Sequence, residues 1–122
     1  MACNYFVGKD WDIAATTGRV VEPFVAPNLV TISIEGDSFT VTVTDESTEP
    51  PTEQSWDGFK CEDDTLSGTV VVTGGTFQLL ILPEPGTPNR IKGEWDPAVE
   101  TTGTWTGNEG GGPSEEDRQR PR

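Results

Sequence analysis

Leu29-Val30-Thr31-Ile32-Ser33-Ile34-Glu35 and Ser38-Phe39-Thr40-Val41-Thr42-Val43-Thr44 alternate apolar and polar residues on either side of Gly36-Asp37. Successive side chains of a strand point to opposite faces, so this period of two predicts a β-hairpin with one apolar face. A two-residue turn at Gly36-Asp37 sets Glu35 opposite Ser38. Ile34 then faces Phe39, Ile32 faces Val41 and Val30 faces Val43, all on one side of the sheet. Thr31, Ser33, Thr40 and Thr42 lie on the other side. A one-residue slip would turn the whole apolar row to water, which pins the register.

A second hairpin is legible in Leu66 to Leu82. With Gly74-Gly75 as its turn, Val72 faces Phe77, Val70 faces Leu79 and Gly68 faces Ile81 on the inner side. The outer side is only partly polar, because Val71, Leu80 and Leu82 sit there beside Ser67, Thr69 and Gln78. The first hairpin therefore predicts one solvated face, and the second predicts cover on both. That cover is either the second layer of a sandwich or barrel, or a contact surface.

The remaining segments are weaker. Residues 5–16, with Phe6, Trp11, Ile13 and Ala15, read as a first strand. Arg19 to Val25 reads as a second, interrupted by Pro23. Residues 45–57 read as a polar loop, long enough to be functional or mobile. Residues 58–62 read as a short strand, and Arg90–Trp95 and Glu100–Thr106 as the last two, split at Asp96-Pro97. The expected fold is all-β, an antiparallel β-sandwich or small β-barrel of about 7–9 short strands. The expected organisation is a single β-domain over residues 1–106 and a flexible, Gly-rich, charged tail over residues 107–122.

Composition agrees with many short strands joined by turns: 14 Gly and 10 Pro are scattered through 122 residues of which 32% are hydrophobic. The formal net charge is −13. Direct nucleic-acid binding needs a basic footprint, which is missing, and an anionic membrane surface would repel the chain. The longest apolar string, Leu79 to Leu82, is far short of a membrane span. Met1-Ala2-Cys3-Asn4 lacks the basic start and apolar stretch of a secretory leader, so a soluble protein, cytoplasmic at synthesis, is expected. Cys3 and Cys61 are either one disulfide or two buried thiols, since the bond requires close Cα atoms.

The chain has no histidine. That removes Ser-His and Cys-His nucleophile pairs and the commonest metal ligand. Two cysteines without histidine do not make a structural zinc site. Phosphate-cradling glycine loops and calcium loops are also missing from the sequence. The expectation is a non-enzyme with no catalytic residue, metal or cofactor.

One dipeptide recurs, at Trp11-Asp12, Trp56-Asp57 and Trp95-Asp96. As structure, it places an indole inside and a carboxylate in water. As a binding set, an exposed Trp with a nearby carboxylate stacks on and hydrogen-bonds a sugar or small ligand. As catalysis, a facing pair drawn from Asp10, Asp12, Glu94 and Asp96 would act on a glycosidic bond.

Tyr5-Phe6-Val7-Gly8-Lys9-Asp10-Trp11 resembles the opening of lipocalin-type and fatty-acid-binding barrels, where a glycine and a tryptophan sit close together on the first strand. The spacing differs by one residue from the lipocalin pattern and the likeness covers only these positions, so it assigns no family. The leading functional expectation is a non-catalytic acidic domain working through protein–protein interaction. It would be an accessory, decorating or structural subunit with a protein partner or a second copy, contacting through Val71, Leu80 and Leu82. The alternative is a module for a glycan or small hydrophobic ligand built on Trp11, Trp56 and Trp95 with Asp12, Asp57 and Asp96. A carboxylate-dependent glycoside hydrolase ranks third.

Overall fold

Alternation like that of the first hairpin continues around the molecule until the last strand meets the first. The computed structural model describes residues 2–84, 86, 89–95 and 103–109. A short 3-10 helix, η1 (Ala2–Phe6), precedes β1 (Asp10–Gly18), β2 (Leu29–Glu35), β3 (Ser38–Asp45), β4 (Thr52–Glu62), β5 (Thr65–Val72), β6 (Gly75–Pro83), β7 (Arg90–Trp95) and β8 (Gly103–Glu109). Each strand pairs antiparallel with the next and β8 pairs with β1, giving a closed up-and-down barrel. Closure removes the exposed edges that an open sheet must otherwise protect.

The first hairpin has the predicted register, with Glu35 opposite Ser38, Ile34 opposite Phe39, Ile32 opposite Val41 and Val30 opposite Val43. Five of its six apolar side chains are buried, but Ile34 is 47% exposed. The cause is that β2 pairs with β1 only through Leu29–Thr31 and then runs past it.

The second hairpin turns one residue earlier than predicted, at Thr73-Gly74, so that Val72 faces Gly75, Val70 faces Phe77 and Gly68 faces Leu79. Gly75 has φ 138 and opens β6, a conformation that side chains rarely adopt. The resulting two-residue shift along β6 leaves every side chain on its predicted face. Leu66, Val70, Phe77, Leu79 and Ile81 are inside the barrel. Among the described residues no second layer covers Val71, Leu80 and Leu82, which face outward.

Four other expectations change. Tyr5 and Phe6 belong to η1, and β1 starts only at Asp10. Arg19–Val25 is not a strand. The N–H groups of Phe24, Val25 and Asn28 bond locally to the carbonyls of Val21, Pro23 and Val25, and Pro23 has no N–H to give a ladder. The second half of the predicted 45–57 loop is β4, with Thr52–Ser55 and Trp56 in register with β3. Its polar residues suit a wall with a wet outer side, where the Thr42 and Ser55 hydroxyls meet at 2.8 Å. Finally, β8 continues through Gly107, Asn108 and Glu109, beyond the boundary expected at 106, because those residues pair with β1 and β7. The rest of the expected tail, and residues 100–102 of the expected last strand, lie outside the described residues.

At the end where β1 begins, η1 reaches across the barrel to the end of β4. Cys3 and Cys61 form a disulfide with Cα atoms 6.0 Å apart. Phe6 is fully buried and its carbonyl accepts the Trp11 indole N–H at 3.1 Å. This end is shut. Among the described residues no helix is long and apolar enough to cross a membrane.

Candidate functional site

The opposite end is built differently. After Asp12, β1 loses its β2 neighbour, because β2 begins at Leu29 opposite Asp12. The intervening residues 19–28 turn back over the barrel end. Asn28, buried, anchors them: its side-chain N–H donates to the Pro23 carbonyl at 2.8 Å, and its backbone carbonyl accepts from the Ile13 N–H at 3.0 Å. A buried amide left without such partners would cost about 1–3 kcal/mol.

This loop buries Val21 and Phe24. The Phe24 ring is stacked on two indoles, Trp56 at 5.4 Å and 29° and Trp105 at 5.5 Å and 24°. Trp95 meets it edge-on at 5.2 Å and 77°. Phe77 extends the cluster at 5.8 Å from Trp95, and the Arg19 guanidinium sits 5.0 Å over the Phe77 ring. Trp105 rests flat against β7 because position 93 is glycine: a Cβ there would lie 2.1 Å from the indole. The Trp105 indole N–H is buried and has no hydrogen-bond partner among the described residues.

Just outside this cluster the barrel opens on a cavity of about 400 Å³, with Val21, Val43 and Phe77 as apolar walls and Arg19, Glu22 and Asp45 as charged groups. The Ser47 hydroxyl and backbone N–H both donate to the Asp45 carboxylate, at 2.6 and 2.9 Å. These bonds stabilise the charged form and hold the Asp45 carboxyl below its ordinary value.

A second feature is a seam in the wall. β4 and β5 pair only where Lys60–Glu62 meets Thr65–Ser67. Beyond that the strands are bridged by Trp56, whose indole N–H donates to the Val71 carbonyl at 3.1 Å. A shallow groove of about 410 Å³ lies outside the seam, among Glu35, Thr40, Trp56, Asp57, Thr69 and Val71.

The expected site residues are spread over the molecule. Val71 is 62% exposed and borders the seam groove. Leu80 and Leu82 lie opposite Glu94 and Lys92, which are paired at 3.0 Å. Leu80 is level with Ser67, four residues and about 13 Å of strand from Val71, so the three do not make one patch. Trp11 is fully buried at the shut end, away from Trp56 and Trp95. Asp57 borders the groove, Asp12 faces outward on β1, and Asp96 lies outside the described residues. Asp10 and Asp12 flank the inward Trp11 and so share the outer face. Asp10 accepts from the Thr31 hydroxyl at 3.4 Å. Among the described residues no three of His, Cys, Asp and Glu come together as they would to hold a metal ion.

Sequence reasoning missed Phe24, Trp105, Arg19 and Asp45. The one available signal was Phe24 itself, a large aromatic in a segment bracketed by Pro23 and Pro27. No family model, curated protein or solved structure matches the chain.

Proposed function

We propose that the protein is a non-catalytic barrel that binds a small hydrophobic ligand at its open mouth. The observation that carries this reading is the cavity of about 400 Å³ above the aromatic cluster. It falls within the volume range of about 300–1,000 Å³ common to ligand pockets, and barrel mouths are a preferred place for them. An eight-stranded barrel has an interior wide enough for one small ligand. Apolar walls from Val21, Val43 and Phe77 with a few polar groups from Arg19, Glu22 and Asp45 are the mixture such a site needs.

A hydrophobic ligand is favoured over a glycan by where the indoles point. A sugar platform needs an exposed ring face. Trp11, Trp95 and Trp105 are buried; Trp56 is half-buried, stacks on Phe24 and borders the outer seam groove, not the mouth cavity. A docking role has less support, because Val71 is separated from Leu80 and Leu82.

The test is tryptophan fluorescence during titration with palmitate, retinol and a glycan panel. A saturable change is expected with the hydrophobic probes and none with the glycans. A flat response to every probe overturns the reading.

A further inference from the structure

We infer that the seam between β4 and β5 is a docking edge, where an extended basic segment of a partner protein adds as a strand alongside β5. The seam lies in the outer wall, so this role is independent of ligand binding at the mouth. Leu80 and Leu82 take no part in it.

Closing a barrel removes its edges, yet this barrel keeps a stretch of one. The ladder between β4 and β5 stops at Lys60 and Ser67. The cause lies in β4, whose register with β3 shifts between Phe39–Phe59 and Val41–Trp56, where Gly58 has φ 81. A bulge bends its strand and ends pairing. β5 continues to Val72, paired with β6 all the way. Gly68–Val72 is about 17 Å of strand, room for one of ordinary length. The tight turn at Thr73-Gly74 makes Val72 and Gly75 a pair that exchanges both backbone bonds, and such pairs alternate along an antiparallel ladder. Val70 and Gly68 therefore point their N–H and C=O at β6, whereas Thr69 and Val71 point theirs at the seam. The Trp56 indole reports the same direction, since its N–H donates to the Val71 carbonyl at 3.1 Å. The Val71 N–H and both backbone groups of Thr69 face no ladder partner among the described residues.

Charge selects the occupant. Glu35 and Asp57 line the groove beside this edge, and among the described residues no Lys or Arg does. Natural edges are commonly guarded by a lysine; here carboxylates flank a valine, Val71, that is 62% exposed. Side chains of an added strand alternate between the two faces of the sheet. Those facing outward, near Glu35 and Asp57, suit Lys or Arg. Those facing inward, towards Val72 and the half-buried Trp56, suit Val or Leu. Main-chain hydrogen bonds to Thr69 and Val71 supply the affinity, and the alternating side chains supply the selectivity. A second copy of the chain is a poor occupant, because each copy carries −13.

Calorimetric titration of the full chain with a capped peptide of alternating lysine and valine, about six residues long, tests this together with amide hydrogen exchange. Saturable binding is expected, with slower exchange at the Thr69 and Val71 amides. The same peptide N-methylated along its backbone should not bind, nor should one of alternating glutamate and valine. Glu35→Gln with Asp57→Asn should weaken binding about fivefold at low salt. Val71→Pro deletes an N–H aimed at the seam and spares the β6 ladder, and it should weaken binding about tenfold. Should Val71→Pro not fold, the N-methylated peptide and exchange in the native protein decide alone. Binding that leaves both amides exchanging as before, or that survives N-methylation, overturns the inference. So does equal binding of the acidic peptide, or no binding of the basic one. Thr69 and Val71 amides protected without peptide, in a protein that sediments as a dimer, would assign the seam to a second copy. The same protection lost on deleting residues 110–122 would assign it to the chain's own end, and either result overturns the inference. Failure here leaves the mouth reading intact, since that reading is tested with palmitate and retinol.

Discussion

At the end of the barrel where β1 begins, the core is made by wall residues and by a helix that is covalently tied down. Phe6, Trp11, Phe39 and Phe59 are all buried there, and the Phe59 ring lies so close to Gly68 that a Cβ would sit 2.6 Å from it. At the other end the centre of the core is one ring, Phe24, carried by a loop without a ladder partner. Both ends bury aromatic surface to a similar degree. They differ in what must break to expose it again. Opening the first requires a disulfide and several strands to give way, while opening the second requires one loop to lift. If motion occurs in this barrel, the loop end is where low local stability places it.

Several changes would break or sharpen this contrast. The largest effect is expected from Cys3→Ser with Cys61→Ser. The bond closes a separation of 58 residues, and the loss of that constraint on the unfolded chain is worth about 4 kcal/mol in the chain-entropy model. Urea denaturation should show that loss, while probe binding at the mouth stays as it was. A parallel loss of binding would mean that the two ends are not independent.

Gly93→Ala comes next. Its Cβ would meet the Trp105 indole at 2.1 Å, and overpacking of this kind costs about 1–3 kcal/mol. Thermal unfolding should drop, and near-ultraviolet circular dichroism should report the displaced indole. Asn28→Ala should cost about 1–2 kcal/mol through the lost bond to Pro23. Its signature is faster amide exchange in residues 19–28 with unchanged protection around Trp11. Equal acceleration at both ends would erase the contrast.

The smallest effect is a pH dependence at the mouth. The folded-state value of Asp45 lies below its ordinary 3.8 because Ser47 bonds to the carboxylate. Its contribution is therefore complete above the unfolded value and is lost as pH falls through the folded one. Native protein and Asp45→Asn should differ slightly in melting temperature at pH 6 and converge near pH 2. A gap that widens in acid would reverse the assigned sign.

How far the molecule could be read in advance differs by segment. Val30–Val43 was legible to the register, because alternation and a turn dipeptide both act over a few residues. The second hairpin was legible in its faces but not in its turn. Gly74-Gly75 offers two glycines, and the strand, not the turn, takes Gly75. β4 was hidden because Thr52, Glu53, Gln54 and Ser55 carry no apolar signal, and only the ladder with β3 makes them a strand. The site was hidden more deeply. Phe24, Trp56, Trp95 and Trp105 are separated by stretches of loop and strand, and no local pattern says that they meet.

The sequence by itself determined an all-β chain of alternating strands, the face each hairpin buries, and the absence of histidine chemistry. These follow from the pleat and from residue types, which are local properties. Closure of β8 onto β1, the Cys3–Cys61 bond and the stacking of Phe24 on Trp56 and Trp105 were decided only by tertiary structure. Each joins residues distant in the chain. Which distant residues meet depends on the number and tilt of the strands between them, a quantity that no single segment carries.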